Sequence, residues 1–169
     1  MGKGPERMCA MTPTSGNKLY ARDIMHPRVS LSSKEHGKGL VEKLMSPYPA
    51  LPVVNDHSEV IGIVSEYDIL NALEEGRTLN EFSAESIMSC GHATHTDVCD
   101  SPTFVTPDTS VDDIVDLMYR ERFSILPVVE SEKSSRLVGL ISRKNIINAL
   151  TEDGFWPERH FQKRVKAAS

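Results

Sequence analysis

The chain has 169 residues, which is enough for one compact domain or for two small intertwined halves. Its hydrophobic content of 39% and charged content of 25% are typical of a globular protein, and its net charge of −5 disfavours broad nucleic-acid binding, which needs a basic face. No apolar run approaches the roughly 20 residues of a membrane span, and no signal-peptide pattern opens the chain, so we expect a cytoplasmic protein without membrane contact. Its three cysteines, an odd number, do not indicate a secreted disulfide framework.

An internal repeat organises the chain. The pair Ile24-Met25 recurs as Ile87-Met88, and each pair precedes the same series of apolar runs. An internal repeat of this kind decides the whole fold, because each copy is one structural unit. We therefore divide the chain into a flexible N-terminal tail (residues 1–18), a first repeat (19–78), a second repeat (79–151) and an aromatic and basic C-terminal tail (152–169).

After its Ile-Met pair, each repeat has a short extended stretch, at residues 28–31 and 103–106, and then a helix. In the second repeat, residues 107–110 carry a helix-start signal, and the apolar residues that follow recur at helical spacing. In the first repeat Gly37 and Gly39 each cost up to about 1 kcal/mol relative to alanine. We expect that helix to be short or to begin late.

The apolar runs that come next are too short for helices and predict a β-hairpin in each repeat. A helix follows each hairpin, over residues 68–75 and 145–151, with Ser65 and Ser142 near the N-caps and Gly76 and Gly154 as stops. Each repeat is thus strand–helix–strand–strand–helix, and it cannot bury both faces of its small sheet alone. We predict a mixed fold, α+β or α/β in class, with two sheets packed face to face and related by a pseudo-two-fold axis.

The hairpin and helix of each repeat carry a motif whose residues are suited to binding a ligand. Gly62 is followed by Ser65 and Asp68, and the second copy places a serine and Asn145 at the same spacing. The glycine lets a ligand approach the backbone, and a serine at a helix N-terminus suits a phosphate or ribose oxygen. A carboxylate there can accept two hydrogen bonds from a ribose diol. The structural alternative is that Asp68 only completes a helix cap with Ser65, but the duplication favours a ligand.

These motifs resemble those of the tandem CBS domain, also called a Bateman module, over residues 19–151. The resemblance rests on the two Ile-Met pairs, the two Leu-Pro-Val-Val runs and the duplicated Gly-h-h-Ser-x-x-Asp/Asn motif, where h is apolar. It implies a regulatory protein, not an enzyme, that binds AMP, ADP, ATP or S-adenosylmethionine in two clefts, forms a homodimer and signals to a partner protein. It also implies that no cofactor is required.

In such modules each cleft combines the Ser-x-x-Asp motif of one repeat with two parts of the other repeat, its entry strand and the segment before its Leu-Pro. Carried over, one cleft would be lined by Ile63, Ser65, Asp68, Pro102, Thr103 and Phe123. The other would be lined by Leu140, Ser142, Asn145, Pro27, Arg28 and Tyr48.

Two departures from the family pattern affect these clefts. Asn145 keeps the hydrogen-bonding capacity of aspartate but loses the charge, so we expect the Asp68 cleft to be the better ribose site. The basic residue that some relatives carry before the apolar run is replaced by Ala50 and Ile125. Phosphate contacts would then come from Arg28, Arg122, Arg143 and Lys144, or the ligand carries few phosphates.

A third departure is an insert over residues 89–102. It contains Cys90, His92, His95 and Cys99, and two thiolates with two imidazoles satisfy tetrahedral zinc. A Cys90–Cys99 disulfide and a polar surface loop are the alternatives. The alternative function is therefore a metal-binding or redox-responsive interaction protein that uses this loop.

Overall fold

The computed structural model of the protein describes residues 18–45, 47–90 and 101–152. Both predicted tails and most of the insert lie outside these residues. The elements in chain order are α1 (Ala21–Ile24), β1 (His26–Pro27), β2 (Leu31–Ser32), α2 (Gly37–Leu44), β3 (Ala50–Val54), β4 (Val60–Ser65), α3 (Glu66–Glu74), α4 (Ala84–Ile87), α5 (Val111–Arg120), β5 (Ile125–Ser131), β6 (Ser134–Ser142) and α6 (Arg143–Glu152).

The strands form two three-stranded sheets, in the orders β2-β3-β4 and β1-β6-β5. Each sheet is centred on the antiparallel hairpin of one repeat, and both hairpins shift register at the equivalent valines, Val53/Val54 and Val128/Val129. The parallel pairing of β2 with β3 has its counterpart in a single parallel bridge between Val105 and Val128. The predicted mixed fold with pseudo-two-fold symmetry is confirmed.

The opening segment of each repeat crosses to the sheet of the other repeat. In the first opening segment (residues 21–27), β1 pairs antiparallel with β6, so that His26 lies opposite Leu140. In the second opening segment (residues 84–89), Ser89 pairs with Ile63 through two backbone hydrogen bonds of 2.8 Å. Each hairpin is therefore completed by backbone from the other repeat, and the repeats are intertwined.

Helix boundaries follow local capping. Helix α3 begins directly after Ser65, whose hydroxyl caps it, and it ends before Gly76, which has a φ of 80°. The predicted stop at Gly154 lies outside the described residues. We expected α2 to be short or to begin late; it starts at Gly37 and, with eight residues, is two residues shorter than α5. Gly37 has a φ of 59°, which glycine adopts without strain, and burial of Leu40 and Leu44 offsets the low helix propensity.

The hydrophobic core is shared between the repeats. The first of its clusters contains the apolar side chains of the first sheet together with Ala84, Ile125 and Leu140 from the second repeat. The second cluster packs Ala21, Ile24 and Met25 of the first repeat against the second sheet. Neither repeat buries its sheet without the other, as expected for units too small to hold a core alone.

Within the described ranges, no helix combines the length and the apolar character that crossing a bilayer requires.

A methionine of each opening segment packs onto the hairpin glycine of the other repeat. A Cβ atom added at Gly62 would lie 2.6 Å from Sδ of Met88, and one added at Gly139 would lie 2.7 Å from Sδ of Met25. These distances are shorter than a van der Waals contact. Both glycines are therefore required by protein packing, which the ligand-approach interpretation of the sequence did not include.

We expect Gly62→Ala and Gly139→Ala each to lower the free energy of unfolding by about 1–3 kcal/mol, because the new methyl group overpacks the methionine contact. Urea denaturation followed by circular dichroism measures the change. The matched control is Gly39→Ala in α2, where the added Cβ would meet only the flexible end of Glu35, at 2.9 Å. That variant should be equally stable or up to about 1 kcal/mol more stable.

Combining Gly62→Ala with Met88→Ala should cost less than the sum of the two single changes, since a smaller side chain at residue 88 accommodates the methyl group. Strictly additive costs would contradict the proposed contact.

Candidate ligand-binding site

The carboxylate of Asp68 lies at the N-terminus of α3 and is only 5% exposed. Its Oδ2 atom accepts hydrogen bonds from the backbone N–H of Ser65 at 2.7 Å and from the Ser65 hydroxyl at 2.5 Å. The cap that the sequence suggested as a structural alternative is therefore present. A carboxylate at this place is stabilised by the partial positive charge of the helix N-terminus.

The second copy of the motif bonds to its serine in the same way, and its amide group also donates a hydrogen bond. Asn145 Oδ1 accepts from the backbone N–H and hydroxyl of Ser142, at 2.8 and 2.6 Å. Its Nδ2 donates to the backbone carbonyl of Ile24 at 2.9 Å. An ionised aspartate cannot donate, so the amide allows Asn145 to tie α6 to the first opening segment. The sequence interpretation, in which asparagine is simply an uncharged aspartate, missed this role.

On the Asp68 side a cavity of about 150 Å³ lies between α3 and the second opening segment. We call it the α3 groove. It is lined by Asp68, Asn71, Ala72, Glu75, Arg77, Ser86, Ile87, Met88 and Ser89. Ile87 of the second repeat is the counterpart of Ile24 in the first repeat. The α3 groove therefore adjoins the position that corresponds to the hydrogen bond from Asn145 to Ile24.

Sequence reasoning identified only Asp68 among the residues that line the α3 groove. A signal was present, because an asparagine three residues later and a glutamate seven residues later recur in both repeats. Asn71 and Glu75 match Asn148 and Glu152. This i, i+3, i+7 spacing places the three polar side chains on one helix face.

Apart from Ser65, which bonds to Asp68, the other residues predicted for the Asp68 cleft do not line the α3 groove. Ile63 is buried in the first core cluster and pairs with Ser89, the first residue of the insert, whereas the prediction used Pro102 and Thr103 at the far end of the insert. Pro102 and Thr103 are partly buried and lead into the bridge of Val105. Phe123 is fully buried in the second core cluster.

The structure brings together most of the apolar residues predicted for the Asn145 cleft. Leu140 belongs to the first core cluster, and Tyr48 packs against that cluster. The rings of His26 and Tyr48 meet edge to face, with centroids 6.2 Å apart. Pro27 lies opposite Gly139 in the sheet and is exposed, as is Arg28.

Three of the four basic residues considered for phosphate recognition, Arg122, Arg143 and Lys144, lie in the second repeat. Arg143 donates through Nε to the carbonyl of Phe123 at 2.9 Å and through Nη2 to that of Arg122 at 2.7 Å. Its guanidinium thus fastens the loop between α5 and β5. Lys144 is exposed on α6.

The turn between the repeats is held by a carboxylate. The backbone N–H of Thr78 donates to Glu81 at 2.6 Å, and its hydroxyl donates at 2.7 Å. These bonds, first the backbone one and then the hydroxyl one, lower the pKa of Glu81 below its ordinary value. Because the carboxylate is the favoured form in the folded state, this contribution to stability is present above the unfolded pKa and is lost as the pH falls.

Of the four residues proposed as metal ligands, only Cys90 lies among the described residues. It is disulfide-bonded, and its Sγ lies 3.5 Å from the carbonyl oxygen of Ser101, so the two ends of the insert are adjacent. His92, His95 and Cys99 lie outside the described residues. Within residues 18–45, 47–90 and 101–152, no group of three or more His, Cys, Asp or Glu side chains is placed to hold a metal ion.

The two hairpin repeats exchange their opening segments, and each carries a capped Ser-x-x-Asp/Asn helix at the junction, so the protein is a paired module. The family model for the CBS domain matches residues 21–75 and 96–152. The chain therefore belongs to the CBS domain family and carries a tandem pair.

The chain is similar to the chloroplastic CBS domain-containing protein CBSX2 of Arabidopsis thaliana, with 28% identity over 155 residues, 80% of this chain and 63% of the relative. It is 33% identical over 132 residues to an uncharacterised protein of Methanocaldococcus jannaschii, covering 77% of this chain and 43% of that protein. The chain thus spans less than two thirds of the length of either relative.

Solved structures share the fold. The crystal structure of CBSX2 in complex with AMP has a TM-score of 0.63 at 25% identity, over 79% of this chain and 96% of that one. The CBS domain pair of protein MJ0100, in complex with 5′-methylthioadenosine and S-adenosyl-L-methionine, has a TM-score of 0.60 at 23% identity, over 78% and 99%. Hypoxic Response Protein I, with two coordinated zinc ions, has a TM-score of 0.63 at 22% identity, over 77% and 98%.

We expect Asn145→Asp to lower the free energy of unfolding at neutral pH by about 1–3 kcal/mol, since a carboxylate would face the carbonyl of Ile24 without a proton to donate. Urea denaturation at several pH values measures this. The deficit should shrink as the pH falls, because the protonated acid can donate again. The matched control is Asp68→Asn, which keeps an oxygen for the Ser65 cap and should cost less. Equal costs for the two variants would contradict a special role for the Asn145 bridge.

Proposed function

We propose that this protein is a regulatory module that binds an adenosyl ligand, from the set AMP, ADP, ATP and S-adenosylmethionine, at the junction of its two CBS repeats. The observation that carries the proposal is the buried carboxylate of Asp68, held at a helix N-terminus beside the α3 groove. A carboxylate in that place can accept two hydrogen bonds from the vicinal hydroxyls of a ribose. The AMP complex of CBSX2 and the adenosyl complexes of the MJ0100 pair support this ligand class.

The two clefts are proposed to be unequal. The amide N–H of Asn145 donates to the carbonyl of Ile24, whereas the corresponding region beside Asp68 is the α3 groove. A ligand entering the Asn145 cleft would have to displace or bypass that bridge. We therefore place the better nucleoside site at Asp68, in keeping with the expectation from the sequence.

Signalling would follow from the position of the site between the repeats. The α3 groove is walled on one side by the first repeat and on the other by the opening segment of the second. A ligand that contacts both walls stabilises one arrangement of the repeats over others, which a partner protein can detect. The role that we propose for the module is regulatory and not catalytic.

We also propose that the module forms a homodimer through its long helices. Leu70 on α3 and Ile147 on α6 occupy equivalent positions and are 61% and 57% exposed. Tyr67, one turn before Leu70, is 54% exposed. Large apolar side chains exposed at matching places on both repeats are typical of a surface that is covered in an assembly.

Isothermal titration calorimetry with AMP, ATP, 5′-methylthioadenosine and S-adenosylmethionine tests the ligand proposal. At least one of these should bind, and Asp68→Ala should abolish the heat or weaken the affinity by about tenfold or more, because a charge-assisted ribose contact is lost.

The matched control is Asp113→Ala. Asp113 forms a similar serine-capped pair on α5, where its Oδ2 accepts from the Ser110 hydroxyl at 2.6 Å, but it is exposed and does not line the groove. Ligand affinity should be unchanged in this variant. Absence of heat with every ligand would refute the proposal.

A second candidate function, a redox response of the insert, is favoured by the disulfide at Cys90. Reduction by a dithiol would convert this disulfide to two thiols while the dithiol becomes a cyclic disulfide. Metal binding, the other alternative from the sequence, would need the reduced form, because a disulfide sulfur is not a thiolate ligand. Cys90 directly follows Ser89, so either change would occur next to the α3 groove.

Alkylation of the native protein with iodoacetamide, before and after treatment with dithiothreitol, tests the redox candidate. Peptide mapping by mass spectrometry should find Cys90 modified only after reduction, and the unreduced map should identify its partner. Elemental analysis of the reduced protein tests the metal alternative, which requires stoichiometric zinc that Cys90→Ser removes. Full modification of Cys90 without reductant would refute the redox candidate.

A further inference from the structure

We infer that the α3 groove recognises an amino-acid end on its adenosyl ligand, bearing an ammonium and a carboxylate, and disfavours a polyphosphate. This inference rests on the proposed function and concerns the ligand atoms beyond the ribose. It is carried by the length, charge and hydrogen bonding of the groove.

The groove extends along α3 beyond Asp68. Asp68, Asn71 and Glu75 lie on one face of α3, and seven residues of α-helix correspond to about 10 Å. Ser86 and Ser89 stand on the opposite wall. A ribose held at Asp68 would therefore direct a substituent toward Glu75 and Arg77.

The charges at the far end of the groove are of both signs. Arg77 Nη1 lies 4.0 Å from Glu75 Oε2. Arg77 Nη2 donates to the Ser86 hydroxyl at 2.9 Å, so the guanidinium spans from one wall to the other. Asn71 donates to Glu75 at 3.2 Å and holds that carboxylate along the helix face. A cation and an anion side by side are complementary to an amino-acid zwitterion.

The sum of the charges disfavours phosphate. Among the described residues that line the groove, Arg77 alone is cationic, against the two carboxylates of Asp68 and Glu75. A ligand tail with three or four negative charges would meet this excess of negative charge, although solvent screens the half-exposed Glu75. A sulfonium or ammonium group would instead be attracted.

The basic side chains that could recognise phosphate lie elsewhere. Arg143 donates to the carbonyls of Phe123 and Arg122. Arg28 directly follows β1, which pairs with β6, and it does not line the groove. The residue that precedes the first apolar run is Ala50, which is buried and uncharged. The groove thus lacks the features that a polyphosphate site requires.

The charge pair is a property of the first repeat. The asparagine and glutamate of the groove face recur as Asn148 and Glu152, but Gly154 stands at the same distance from Asn145 as Arg77 does from Asp68. Among the described residues, this mixed pair of charges is found on the first repeat. The selectivity should be a property of one site per chain.

Calorimetry with four probes tests the inference: S-adenosylmethionine, S-adenosylhomocysteine, 5′-methylthioadenosine and ATP. The two compounds with an amino-acid end should bind about tenfold more tightly than 5′-methylthioadenosine, which has the same nucleoside without that end. ATP should bind most weakly. Glu75→Gln should weaken S-adenosylmethionine by about threefold, since the pair is partly exposed, and leave 5′-methylthioadenosine unchanged.

The matched control is Glu74→Gln, which makes the same change of charge one residue earlier, outside the groove lining. It should leave all four affinities unchanged. If 5′-methylthioadenosine binds as tightly as S-adenosylmethionine and Glu75→Gln has no effect, the groove inference is overturned while the proposed function stands. If ATP binds most tightly, the groove inference is likewise overturned. If none of the four binds, the groove inference is overturned, and the proposed function is overturned with it only if AMP and ADP also give no heat.

Discussion

The exchange of opening segments between the repeats is the constraint on which the rest of the structure depends. Backbone bonds between Ile63 and Ser89, and the pairing of β1 with β6, complete each sheet with strands from the other repeat. The methionines of the opening segments pack onto Gly62 and Gly139 with no room for a Cβ atom. Because each core contains side chains from both repeats, the two halves fold as one body and any change in one opening segment reaches the other sheet.

The difference between Asp68 and Asn145 makes the two pseudo-symmetric repeats unequal. Both side chains cap a helix through the preceding serine, so local stability does not distinguish them. The amide of Asn145 also donates to Ile24 and ties the second helix to the first repeat. Aspartate cannot make that bond when ionised, and beside it the α3 groove stays open. The change from a carboxylate to an amide thus adds a hydrogen-bond donor that links α6 to the first opening segment.

Some residues of the candidate site could be predicted from the sequence, and others could not. The duplicated motif identified Ser65, Asp68 and Asn145, because cap chemistry is local and acts over three residues. The family resemblance placed Pro102 and Thr103 in the cleft, whereas the residue paired with Ile63 is Ser89, the first residue of the insert. It also missed Arg77 and Ser86, which become neighbours only through the turn that joins the repeats. The bridge from Asn145 to Ile24 spans 121 residues, and no local pattern indicates it.

The sequence by itself determined the repeat, the hairpins and the capped helices, since hydrophobic periodicity and capping act between near neighbours in the chain. The tertiary structure decided which opening segment completes which sheet, why the methionines leave little room at the two glycines, and that the amide of Asn145 bonds to Ile24. These features depend on contacts between side chains that are far apart in the chain, and their geometry exists only once both repeats are packed together.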